Sequence, residues 1–165
     1  MGDLTGSCAR AASAAEAAYR IDAPIAPARA VRIVALDPGA AAVALRAQDN
    51  NWVHAHFFVC EGVAAADTST EGLILRGLDG APAVLDDELD SADVVVMIAT
   101  VDGGAESAHA IGKACWERGI QTAGLVVSDG SAALAAVAAL RPHARVLLPS
   151  ADETDVVELL TALRA

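Results

Sequence analysis

Asp93-Val94-Val95-Val96-Met97-Ile98-Ala99 decides the fold, because six apolar residues follow one acid with no polar residue among them. A strand with one wet face alternates apolar and polar residues, whereas a strand covered on both faces does not. This one therefore belongs in the middle of a parallel sheet, with helices above and below. Residues 107–118 then have helical length and composition, and Glu117-Arg118-Gly119 puts a glycine where a helix C-cap favours it. Working outward, apolar and β-branched runs predict strands over 31–36, 53–59, 73–75, 94–99, 122–127 and 145–148. Alanine- and leucine-rich stretches predict helices near 40–47, 107–118, 132–140 and 155–163. Asp152-Glu153-Thr154-Asp155 places acids at the start of the last helix, where N-cap hydrogen bonds and the helix dipole favour them. The expected fold class is α/β: a Rossmann-like three-layer sandwich with a mainly parallel sheet of about six strands.

Residues 1–29 read as an alanine-rich lead-in, with a helix over 8–19 and a connector, Asp22-Ala-Pro-Ile-Ala-Pro27, held extended by its prolines. Residues 30–165 read as one domain. The chain has 22 acidic residues against 11 basic ones, with Lys113 its single lysine, and a formal charge of −11. Such a balance repels polyanions, so neither nucleic acid nor an anionic membrane is expected as a partner. Cys8, Cys60 and Cys115 are odd in number and widely spaced, which indicates neither a disulfide framework nor a zinc knuckle. The apolar runs fall well short of the roughly 20 residues of a membrane span. Arg10, Glu16 and Arg20 break up the N-terminal alanines, leaving no continuous apolar segment for a secretory signal. A cytoplasmic protein is expected. An alanine-rich helix face permits close approach of another helix, so a homo-oligomer or a protein partner docked through residues 1–22 is a further expectation.

Ligands of open α/β sheets gather beyond the carboxyl ends of the strands. Two loops there carry candidate residues. Asp37-Pro-Gly-Ala-Ala41 has one glycine, Gly39, and lacks the G-x-G-x-x-G spacing that lets amides reach a pyrophosphate. Thr100-Val-Asp-Gly-Gly-Ala-Glu-Ser-Ala108 sets Gly103, Gly104 and Ser107 ahead of a helix, in outline an anion site, but Asp102 and Glu106 put carboxylates where phosphate oxygens would sit. It reads either as a strand-to-helix turn or as a ligand loop.

Elsewhere, His54, His56, Phe58 and Cys60 fall on one face of a strand by period-two alternation. Zinc asks for three or four ligands and no fourth is placed, so packing is the expected role. His109 and His143 read as surface or helix-end residues. Ser107 and His109, two apart on a helix, point away from each other and do not form a nucleophile and base. Cys115 is expected to be packed beside Trp116 rather than reactive.

From Val31 to about Glu153 the order of elements resembles the nucleotide-binding half of the tubulin/FtsZ family of GTPases. Arg76-Gly-Leu-Asp-Gly-Ala81 is similar to that family's glycine-containing loop after strand three, which brings Gly77 among the candidate residues. Leu89-Asp-Ser-Ala-Asp-Val-Val-Val-Met-Ile-Ala99 resembles its acidic lead into the central strand, and Thr122-Ala-Gly-Leu-Val-Val127 and Leu147-Leu-Pro-Ser150 resemble its later strand and proline-bearing loop. The signature G-G-G-T-G-[ST]-G falls on residues 102–108, where Gly103, Gly104 and Ser107 match and Asp102, Ala105, Glu106 and Ala108 do not. The first glycine run is reduced to Gly39, the Asn-Thr-Asp turn is replaced by Cys60-Glu-Gly62, and the family's long central helix and hydrolysis-completing loop lie beyond the length matched.

The resemblance implies a non-catalytic binding or assembly module, without a complete GTPase apparatus. Its ligand would be a small molecule, a guanine nucleotide (GTP or GDP with Mg²⁺) among them, held by Asp37, Gly39, Gly77, Asp102, Gly103, Gly104, Glu106 and Ser107. The alternative is a small enzyme acting on a phosphorylated or carbonyl metabolite, with Ser107, Asp102 and Glu106 as polar groups in the same crevice, or a unit resembling the sugar-isomerase (SIS) domains, which bind phosphosugars and for which Ser107 and Thr100 would serve. No catalytic residue and no metal ligand is assigned.

Overall fold

The computed structural model describes residues 27–62, 73–127 and 133–165. The expected helix over 8–19 and most of its connector lie outside the described residues. In chain order the elements are β1 (Val31–Ala35), α1 (Pro38–Gln48), β2 (Ala55–Cys60), β3 (Ile74–Gly77), β4 (Pro82–Val84), α2 (Leu85–Leu89), β5 (Val94–Ala99), a 3-10 turn (Asp102–Gly104), α3 (Ala105–Arg118), β6 (Gln121–Val127), α4 (Leu134–Leu140), β7 (Val146–Ala151) and α5 (Glu153–Leu163). They build one seven-stranded sheet in the order β4-β3-β2-β1-β5-β6-β7. The five strands from β2 to β7 in that row are parallel, and the β3–β4 hairpin adds two antiparallel strands at one edge.

The central placement of β5 is as its composition demands: all six residues are buried, between β1 and β6. Its side chains alternate between two cores. Val95, Met97 and Ala99 pack with α2, α3 and α4, through residues such as Leu85, Leu89, Ile111 and Leu140. Val94, Val96 and Ile98 pack with α1 and α5, through Val43, Val156 and Leu160. Helices thus cover both faces, which makes the three layers of a Rossmann-like sandwich. Where a polar residue enters the interior it is paired: Arg32, 5% exposed on β1, donates to Glu88 at 2.8 Å and to Ser91 at 2.6 Å.

The helix ends follow local chemistry. Asp152 accepts from the amides of Thr154 and Asp155 while Asp155 accepts from Asp152 N–H, a complete capping box for α5. Gly119 ends α3 in the left-handed conformation, φ 69°, as the sequence predicted. Two elements go unread in the sequence, β4 and α2, each of five residues or fewer and too short for periodicity to register. Arg76-Gly-Leu-Asp-Gly-Ala81 is the turn of the β3–β4 hairpin, closed by Gly77 N–H to Ala81 O at 2.8 Å. Among the described residues no helix is long and apolar enough to cross a membrane.

Candidate functional site

The chain leaves β1 through α1 toward β2 on one side, and leaves β5 through α3 toward β6 on the other. The strand order therefore reverses between β1 and β5, and the crevice beyond their carboxyl ends is where a ligand of such a sheet is expected. Residues 36–39 and 100–104 meet there. Asp37 ends the first loop as the N-cap of α1, its Oδ1 accepting from Ala40 N–H at 2.8 Å, with Pro38 suited to the first helical position. The same carboxylate crosses to the second loop: Oδ2 accepts from the amides of Thr100 at 2.7 Å and Val101 at 3.2 Å, and Oδ1 from the Thr100 hydroxyl. Burial alone would raise the pKa of Asp37, but these donors outweigh it and hold the carboxyl below its ordinary value. Asp37 is 5% exposed. Convergent amides at strand ends form an anion nest, and here the anion is the protein's own carboxylate.

Close backbone packing tightens the junction. A Cβ on Gly104 would stand 2.5 Å from Leu36 Cβ and 2.6 Å from Leu36 O, and one on Gly39 would collide with Thr100. Asp102 turns away from the crevice, its Oδ1 accepting from Ala135 N–H at 2.8 Å and Ala136 N–H at 3.1 Å, so that it caps α4 from a different segment. Gly103 has open space around its Cα, Glu106 is exposed, and Ser107 is 5% exposed on the first turn of α3.

Seven of the eight residues singled out in the sequence thus come to one pole of the sheet. Gly77 does not. It ends β3, which runs antiparallel to β2 with Phe58 opposite Gly77 and Cys60 opposite Leu75, so β3 carries it toward the amino ends of the parallel strands.

Several polar groups of the crevice are already committed within the protein. The amides of Thr100 and Val101 are engaged by Asp37, and Asp37 and Asp102 both accept from backbone N–H groups. Among the described residues no group of three or more His, Cys, Asp or Glu side chains could hold a metal ion. Cys115 is fully buried, its thiol pushed up to about 12 by that burial against the opposing charge of Arg118. Ser107 is buried while His109 on the same helix is exposed, consistent with their opposed directions.

On β2, Phe58 and Cys60 enter the core, and His56 stands at their exposed end, edge-on to Phe58 and 3.7 Å from Glu88. His109 and His143, read separately in the sequence, meet: His143 Nε2 lies 3.2 Å from His109 Nδ1. Gly112 admits the ring, since a Cβ there would fall 2.5 Å from His143 Cγ. A glycine one helical turn after a histidine was the available signal, and it is a weak one.

No family model and no curated protein matches this chain.

Proposed function

We propose that the domain works by recognition rather than turnover, as a non-catalytic binding or assembly module. Asp37 carries this reading. A carboxylate held below its ordinary pKa stays ionised at neutral pH and makes a poor general base, and by filling the nest it excludes a phosphate from the amides of residues 100 and 101. A crevice stitched in this way is a rigid joint between β1, α1 and β5. The resemblance in element order to the tubulin/FtsZ family then lies in the scaffold, with its phosphate contacts replaced. Cys60 and Cys115 are both free and buried, in keeping with a reducing, cytoplasmic setting.

The test is thermal unfolding with and without millimolar GTP, GDP and Mg²⁺, alongside phosphate release from GTP. A ligand at 100 times its Kd stabilises by about 2.7 kcal/mol, which for a domain near this size is about 6 °C by the usual scaling of about 2 °C or more per kcal/mol. The expected result is no guanine-specific shift and no phosphate release. A shift of that size abolished by Gly104→Asp would return the nucleotide to the crevice, and steady GTP turnover would make the domain an enzyme.

A further inference from the structure

The opposite pole of the sheet is built differently. A groove of about 450 Å³ opens between the end of α3 and the start of β6, lined by Trp116, Gly119, Gln121, Thr122, His143 and Arg145 among others. Its volume falls within the range of small-molecule sites. Trp116 stands at it with 76% of its surface exposed, where an indole of this size would ordinarily be covered.

The charge around the groove runs against that of the whole chain. Five of the described cations are matched by acids, Arg32 by Glu88, Arg46 by Glu153, Arg76 by Glu61, Lys113 by Glu117 and Arg118 by Asp86, whereas Arg29 donates to the Oε1 of the groove residue Gln121 at 3.4 Å. The groove is lined by the guanidinium of Arg145 and by no acid, and His143 there is held toward its neutral form by burial and by His109. Arg145 is exposed and has no acidic partner among the described residues.

The walls are also fixed in place. Thr122 is 4% exposed and holds the 143–145 stretch twice, its hydroxyl donating to the His143 carbonyl and its own carbonyl accepting from Arg145 N–H at 2.9 Å. Two of the last carbonyls of α3 are capped, since Trp116 O accepts from Gly119 N–H at 3.1 Å and Cys115 O from Ile120 N–H at 2.9 Å.

We propose that this groove binds a small planar aromatic anion, with its ring against the Trp116 indole and its carboxylate or phosphate against Arg145. A flat ring uses the exposed indole face, and Arg145, on a backbone pinned by Thr122, offers a planar guanidinium fork to a carboxylate or phosphate. The proposal rests on the recognition reading and gives it a site, at the pole that Asp37 does not close.

The experiment follows the two indole N–H signals of the full chain by NMR, with AMP and indole-3-acetate as probes and adenosine, tryptamine and inorganic phosphate as controls. Trp52 is an internal reference, because its Nε1 donates to Ala47 O at 2.8 Å, away from the groove. AMP or indole-3-acetate is expected to shift the Trp116 signal saturably and leave that of Trp52 in place. Each control is expected to bind about tenfold or more weakly, and Arg145→Ala to weaken the probe by about tenfold, or 1.4 kcal/mol.

The proposal is overturned by no saturable shift with either anion, by equal binding of the neutral or cationic ring, or by an Arg145→Ala variant that folds and binds unchanged. A Trp116 shift that grows with protein concentration alone overturns it in favour of a second copy of the chain in the groove. Phosphate released from AMP in the same tube would contradict the recognition reading while leaving the groove assignment standing, so the two failures are separable.

Discussion

Asp37 shows how one side chain can replace a ligand. Its four donors come from two loops 63 residues apart in sequence for Thr100, so the carboxylate is a cross-link as much as a helix cap. Asp37→Asn keeps the shape, loses the charge and turns one acceptor into a donor facing other donors. It is expected to cost about 2 kcal/mol in denaturant unfolding, the scale of hydrogen bonds to a charged group. A carboxyl with a folded pKa below its ordinary value of 3.8 contributes stability that is present above that value and is lost as pH falls through the folded one. The variant's acid limb below pH 3.8 should therefore be shallower than that of the parent. His143 behaves in the same direction for a different reason: burial first, and the charge of His109 second, hold its pKa below 6.5. Its contribution is complete above pH 6.5 and is lost as pH falls through the folded value, and His109→Gln should move the NMR titration of His143 up toward 6.5. An acid before Pro-Gly at a strand end is visible in the sequence as a loop residue. That its acceptors face donors 63 positions away, or that two histidines 34 positions apart touch, is set by the sheet and is not local information.

At the scale of elements, the long ones were legible and the short ones were not. The boundaries expected for β5 and those found are the same, and α3 begins two residues earlier than its expected start at 107. Continuous burial and a glycine cap are strong local signals. The strands β1, β2, β6 and β7 were found within a few residues of expectation, whereas β4 and α2 have three and five residues and rest on tertiary contacts. The candidate loop was legible as a place, because strand, glycines and helix follow one another from residue 94 to residue 118. Its contents were not: Asp102 reads as a ligand in sequence and is the cap of α4 in the structure. The two glycines of that loop make a matched test. Gly103→Ala meets open space, while Gly104→Ala must push against Leu36 backbone at 2.6 Å. Overpacking of this kind costs about 1–3 kcal/mol, so chemical denaturation should separate Gly104→Ala from the parent and leave Gly103→Ala within about 0.5 kcal/mol of it.

Across the whole molecule, the formal charge of −11 sets the background for every local contact. Self-repulsion of the folded chain is screened when the Debye length falls from about 30 Å at 0.01 M salt to about 3 Å at 1 M. The exposed ion pairs Arg46–Glu153 and Arg76–Glu61 weaken under the same change, but such pairs are each worth about 1 kcal/mol or less. Added sodium chloride should therefore raise Tm, and a fall in Tm by calorimetry would mean that paired charges outweigh the net excess. The sandwich, its central strand and its layers were readable because composition and period act over long windows. The contrast between a carboxyl pole cross-linked by Asp37 and a groove beside Arg145 at the amino pole was not, since it depends on which charged groups find partners.

The strand order has a consequence for how the protein is made. β1 lies between β2 and β5, and Val31 pairs with Val94, a residue synthesised 63 positions later. At roughly 5–20 residues per second that interval lasts about 3 to 13 s. Throughout it, one edge of a wholly buried core strand has been translated and its neighbour has not. The growing chain spends those seconds as an unfinished β-sheet, the form most prone to pair with the wrong strand.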